Sequence, residues 1–84
     1  MKMFSLLFSE EFEKSFSKLK EKNLRKQIWK KILELEKRAP LGKKLKRNPF
    51  WSIHIGKYRV IYKLEGNQIW IADVLQRKFD YREL

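Results

Sequence analysis

Apolar and polar positions alternate with three different rhythms along the chain. Residues 3 to 8, MFSLLF, form an apolar run of strand length, and Ser9 followed by Glu10 and Glu11 reads as a helix start. A serine oxygen caps free amides there, and acids suit the positive end of the helix dipole. Phe12, Phe16 and Leu19 then recur at helical spacing, with Lys14 and Lys18 off that face, which predicts an amphipathic helix of about three turns. The stretch KEKN at 20 to 23 breaks the pattern, and Asn23 is the expected cap of a second helix. Leu24, Ile28, Ile32 and Leu35 form its apolar stripe, widened by Trp29 and Leu33. Pro40 disfavours helical geometry at Ala39, so this helix should stop near Arg38.

Beyond a basic loop, APLGKKLKRNPF, the period changes to two. Strands are expected at about 51 to 55, 58 to 64 and 69 to 75. Gly56-Lys57 fits a two-residue hairpin turn with glycine first. That turn sets Ile55 opposite Tyr58, His54 opposite Arg59 and Ile53 opposite Val60, and opposed residues project on the same side of a sheet. Trp51, Ile53, Ile55, Tyr58, Val60, Tyr62 and Leu64 then make an apolar seat for the helices. Ser52, His54, Arg59, Ile61 and Lys63 lie on the other face. A turn at Gly66-Asn67 would add Trp70, Ala72 and Val74 to that second face and send Asp73 towards the helices. An acid there requires a bulge or a basic partner.

The order strand, helix, helix, strand, strand, strand is an α+β pattern: an N-terminal strand, a two-helix hairpin and a three-stranded antiparallel meander, with the helices on one face of a mostly antiparallel sheet. The 84 residues suffice for one modest core and not two, so residues 1 to 84 are expected to form a single domain. The N-terminal apolar run is too short for a signal peptide and meets two glutamates at once. No segment approaches membrane-spanning length, which makes a cytoplasmic protein with no membrane partner the expectation.

Charge changes the picture most. The formal net charge is +11, and no acid occurs between Glu36 and Glu65, where nine lysines and arginines fall. Such an excess points to a polyanionic partner. The absence of cysteine excludes a disulfide framework and a thiolate metal site, and one histidine among scattered acids argues against a dedicated zinc site. Basic groups interleaved with aromatic rings, as in the tail QRKFDYREL with Arg77, Lys78, Phe79 and Tyr81, suit RNA through phosphate contacts and base stacking.

Cleavage of RNA without a metal needs a group that helps a ribose 2′-OH attack its phosphate, cations for the developing charge and a proton donor for the leaving oxygen. Arginine suits the second task because its fork binds phosphate oxygens and stays charged. Histidine, with a free pKa of about 6.5, suits the first or third.

The strand WSIHI, the loop GKKLKRN, the segment GKYRVIYKL and the run IWIADVLQRKFDY closely resemble the RelE/ParE superfamily of toxins from bacterial and archaeal toxin–antitoxin pairs. The order of elements matches as well, so the likeness spans nearly the whole chain. The resemblance implies a RelE-like fold and a small basic endoribonuclease that enters the ribosomal A site and cuts mRNA there with no metal and no small-molecule cofactor. It also implies a cognate antitoxin, with the ribosome and mRNA as the other partners. By resemblance, Arg59 matches the phosphate-stabilising arginine of the family's Tyr-Arg motif, Arg77 the basic position after the last strand and Tyr81 the aromatic that follows. His54 is then the candidate base. Lys44, Lys46 and Arg47 would contact the RNA backbone, with Lys57, Lys63 and Lys78 in the same basic region.

Two positions depart from the family pattern. Relatives commonly carry two basic residues in the strand before the glycine turn, where this chain has Ser52 and His54. Many have a histidine where this chain has Gln76, which cannot act as acid or base. A ParE-like toxin that poisons DNA gyrase is therefore an alternative, and a non-catalytic module that binds RNA or a partner through the same face is another.

Overall fold

A computed structural model describes residues 4–76, which form two helices and five strands. The elements are β1 (Ser5–Phe8), α1 (Glu10–Ser17), α2 (Lys22–Arg38), β2 (Lys43–Lys44), β3 (Phe50–Ile55), β4 (Tyr58–Glu65) and β5 (Gln68–Gln76). They build one sheet in the order β1-β5-β4-β3-β2, with β1 parallel to β5 and the other pairs antiparallel. The expected α+β architecture is the observed one. Among the described residues, no helix is long and apolar enough to cross a membrane.

Ser9 caps α1 as its position suggests, accepting the Phe12 amide at 2.9 Å. The helix is shorter than expected, about two turns, because it closes at Lys18 before Leu19, which is buried outside it. The second helix begins one residue ahead of the expected cap. Glu21 precedes it without a side-chain cap bond, and Asn23 lies inside its first turn. Its end at Arg38 is where Pro40 requires it, with Ala39 already extended.

Ile28, Ile32 and Leu35 of α2 are fully buried against Ile53, Ile55, Val60, Tyr62, Ile69 and Ile71 of the sheet. Trp29 and Leu33 do not widen that buried stripe: both remain exposed, at 41% and 43%. Trp29 instead stacks its ring on Phe8 at 5.6 Å between centroids.

The basic loop contains a strand the pattern does not reveal. The two residues of β2 pair with Ser52 and Trp51, and the Leu45 amide bonds the Phe50 carbonyl at 2.9 Å. Asn48 accepts the Phe50 amide at 2.9 Å, closing the turn that carries Lys46 and Arg47. Gly42 lets this loop lie on β3. Its φ is 87°, and a Cβ there would sit 2.2 Å from the Ser52 carbonyl oxygen. The buried Tyr62 hydroxyl holds the preceding residue, accepting the Leu41 amide at 2.8 Å and donating to the Leu41 carbonyl. Burial pushes the Tyr62 phenol above its ordinary pKa, partly offset by the Leu41 bond.

Between β4 and β5 the register slips by one residue. Tyr62 pairs with Ile71 and Ile61 with Asp73, so Ala72 is the extra residue of a β-bulge. The slip corrects the simple alternation. Val74 pairs with Val60 and enters the core at 4% exposure, and Asp73 turns to the face away from the helices. Ser9, directly after the neighbouring strand β1, fastens this bulge. Its amide bonds the Ile71 carbonyl at 3.0 Å and its hydroxyl donates to the Ala72 carbonyl, which the bulge displaces from the regular ladder.

Candidate functional site

The face away from the helices is laid out in rows across the strands. At the β3–β4 turn, His54 lies opposite Arg59 and Arg59 opposite Leu75. The middle row holds Lys43, Ser52, Ile61 and Asp73, and the third Phe50, Lys63, Trp70 and Leu7. Directly opposed residues in such a ladder have Cβ atoms about 5 Å apart, so His54 and Arg59 can address one small group together.

The hairpin turn creates this juxtaposition. Gly56, at φ 59°, takes the left-handed conformation that a two-residue turn of this kind needs, and nothing lies within 4 Å of a Cβ placed there. It locks the register, which fixes His54 opposite Arg59 and leaves Lys57 exposed at the tip. His54 is exposed and Arg59 half-buried. Gln76, the last described residue of β5, pairs with Tyr58, so β5 also ends at this row. The Gln76 amide nitrogen donates to the Tyr58 hydroxyl at 3.3 Å. Arg77, Lys78 and Tyr81 lie outside the described residues.

The remaining cations divide. Lys46 and Arg47 sit on the loop before β3, at the opposite end of the hairpin from His54, with Lys63 in the third row. With a strand rise of about 3.3 Å per residue, Lys63 lies about 13 Å along β4 from Arg59. It forms a surface ion pair with Glu65 at 3.7 Å. Lys44 takes the register of Trp51, on the helix side, and donates to the Asn48 carbonyl at 3.2 Å. Its neighbour Lys43, opposite Ser52, belongs to the helix-free face instead. Sequence patterning missed Lys43 because a two-residue strand leaves no periodicity to read.

The centre of the face is less polar than its ends. Ile61 is fully buried and Ser52 is 2% exposed, although neither faces the helices. Asp73 joins them in the middle row and bonds the Val74 amide through Oδ1 at 2.8 Å. Among the described residues, no cluster of three or more histidine, aspartate or glutamate side chains is arranged to hold a metal.

A five-stranded, mostly antiparallel sheet, with a two-helix hairpin on one face and cations at both ends of the other, defines a RelE-like α+β protein. The family model for the ParE toxin of the type II toxin–antitoxin system parDE matches residues 6–81, and the chain belongs to that family, within the RelE/ParE superfamily of toxins. No curated protein matches it in sequence.

Its fold is similar to RelE in the RelB–RelE antitoxin–toxin complex from Methanococcus jannaschii, with 28% identity, a TM-score of 0.73 and coverage of 86% of this chain and 91% of that one. The isolated E. coli RelE toxin is similar at 21% identity and a TM-score of 0.74, over 93% of this chain and 88% of that one. A chain of the chromosomal ParDE system from P. aeruginosa matches at 11% identity and a TM-score of 0.71, over 88% and 96%. The last two likenesses concern the fold alone.

Proposed function

We propose that this toxin is a ribosome-dependent mRNA endonuclease that cuts in the A site by attack of a ribose 2′-OH on the adjacent phosphate. The observation that carries the reading is the His54–Arg59 pair, opposed on the helix-free face at the end of the sheet where β5 finishes. His54 takes the proton of the 2′-OH, and the freed oxygen attacks phosphorus. The P–O bond to the 5′-oxygen breaks, giving a 2′,3′-cyclic phosphate; the leaving oxygen takes a proton from water to become a 5′-hydroxyl, and His54 returns the proton it took to solvent. Arg59 stabilises the charge that develops on the phosphate oxygens. Arg77 supports the same charge, and Tyr81 stacks on or orients the substrate. Lys46, Arg47, Lys57, Lys63 and Lys78 hold the RNA backbone, whereas Lys44, whose register is on the helix side, is left out of that set. The route uses side chains alone and calls for no cofactor.

Primer extension on a defined mRNA in a reconstituted translation system, with and without ribosomes, tests this. Ribosome-dependent cuts within codons that fall by about 10²-fold or more in Arg59→Ala are expected, the usual loss when a transition-state charge donor is removed. Equal cutting by the two proteins would overturn the assignment.

A gyrase-directed toxin is the second reading, favoured by the ParE family match and by Ser52 and Gln76, which bring no titrating group to the positions they occupy. Growth arrest with intact mRNA and damaged DNA would select it. For either activity we propose a cognate antitoxin that masks the cationic face. The net charge of +11 favours an acidic partner, and the similar M. jannaschii structure is a complex of toxin with antitoxin.

A further inference from the structure

Along α2, Gln27, Lys30, Lys31 and Glu34 follow one another at intervals of three, one and three residues. That spacing places them on one helical stripe. Together with His54, Ile55 and Gly56 this stripe lines a groove of about 430 Å³. The groove exists because β2 covers the outer edge of β3 only as far as Ser52. Beyond that point the neighbour of the sheet edge is a polar helix stripe.

The electrostatics of the groove are cationic. Lys30 and Lys31 supply two positive charges and Gln27 an amide that both donates and accepts. The acid on the same stripe, Glu34, is engaged by Lys31 at 3.2 Å and by Arg38 at 3.8 Å. Gly56 contributes exposed backbone to the wall, and Ile55 only the edge of a side chain otherwise buried in the core. Pockets of this volume hold a small ligand. His54 borders both this groove and the row that contains Arg59.

We propose that the groove between α2 and the β3–β4 turn is an RNA subsite that takes a nucleotide flanking the scissile phosphate, with Lys30 and Lys31 on its phosphate. This rests on the nuclease reading above and deepens it. A strand bound at His54 and Arg59 continues around the sheet edge onto the helix, so both layers of the fold hold substrate.

The test compares the wild type with Lys30→Glu and with Lys30→Glu/Lys31→Glu. The single variant leaves the Lys31–Glu34 pair in place and separates charge from structure. A control, Lys14→Glu/Lys18→Glu on exposed positions of the first helical segment, changes net charge as much as the double groove variant, and Lys14→Glu alone as much as the single one. Two readouts are taken: binding of a single-stranded 2′-O-methyl RNA oligonucleotide over a salt series, and KM and kcat for mRNA-programmed ribosomes. The groove variants should weaken oligonucleotide binding about tenfold or more and raise KM with kcat retained. The double variant should flatten the slope of log K against log salt by about 1.4, the value for two phosphate contacts on a single strand. The control should change binding about twofold or less.

Equal weakening by the groove variants and the control would overturn the subsite, leaving only a net-charge effect. Unchanged KM in a protein that still cuts mRNA would also overturn it and leave the nuclease reading intact. Groove-dependent oligonucleotide binding by a wild-type protein that cuts nothing would uphold RNA binding there and overturn the nuclease reading.

Discussion

Replacing Ser9 by alanine tests how the sheet acquires the face on which the candidate site sits. The hydroxyl makes two bonds from a nearly buried position, accepting the Phe12 amide at the start of α1 and donating to the carbonyl of the bulged Ala72. Loss of a helix cap of this type costs about 1 kcal/mol. Loss of the second bond leaves a carbonyl in a half-buried setting without that donor, which adds about 1 kcal/mol. The sum, about 2 kcal/mol, is about a 30-fold change in the unfolding equilibrium constant. Urea unfolding followed by tryptophan fluorescence and by circular dichroism measures it, with Ser17→Ala as the control. The Ser17 hydroxyl bonds the Lys14 carbonyl in an exposed setting, and its loss should change stability by less than about 0.5 kcal/mol. Amide exchange at Asp73 and Val74 should accelerate in Ser9→Ala beyond the global effect, since the bulge loses its anchor. A loss for Ser9→Ala no larger than for Ser17→Ala would refute the claim that Ser9 joins α1 to the bulge.

Gly42→Ala should cost about 2 kcal/mol or more by urea unfolding, since a left-handed φ and a Cβ 2.2 Å from the Ser52 oxygen both oppose it. Gly56→Ala meets only the backbone cost of about 1 kcal/mol. The raised pKa of Tyr62 means that the folded state holds the phenolic proton more tightly than the unfolded chain does. Stability from this group is therefore complete below the unfolded pKa of about 10 and falls as pH rises towards the folded value. Urea midpoints measured from pH 8 to 11 should decline for the wild type, and that decline should shrink in Tyr62→Phe. Exposed His54 can be changed to alanine with little effect on the urea midpoint, while cleavage falls by about 10²-fold or more if it is the general base.

Much of the site was legible because it is local. A glycine-first turn of two residues admits one register, so His54 opposite Arg59, and the apolar face of Ile53, Ile55, Val60 and Tyr62, follow from the order of residues alone. Ser9 as a cap and Pro40 as a stop are equally local, each acting on the geometry of its immediate neighbours. The conflict posed by Asp73 was legible too, as a polar residue where strict alternation demanded an apolar one. Its resolution was not. The slip at Ala72 turns Asp73 outward and Val74 inward, and its hydrogen-bond partner, Ser9, is distant in sequence.

The same distinction separates the remaining features. Lys43 and Lys44 form a strand only because β3 offers an edge and Gly42 permits a close approach, neither of which two residues can signal. Trp29 and Leu33 match the helical period of the core stripe, but the packed sheet fully buries only Ile28, Ile32 and Leu35 of α2 and leaves those two side chains at its margin. The groove beside His54 depends on how far β2 extends and on which stripe of α2 meets the exposed edge. Periodicity and turn chemistry act over a few residues and determine elements, faces and register. Coverage, bulges and grooves depend on which distant surfaces meet, and only the packed structure decides them.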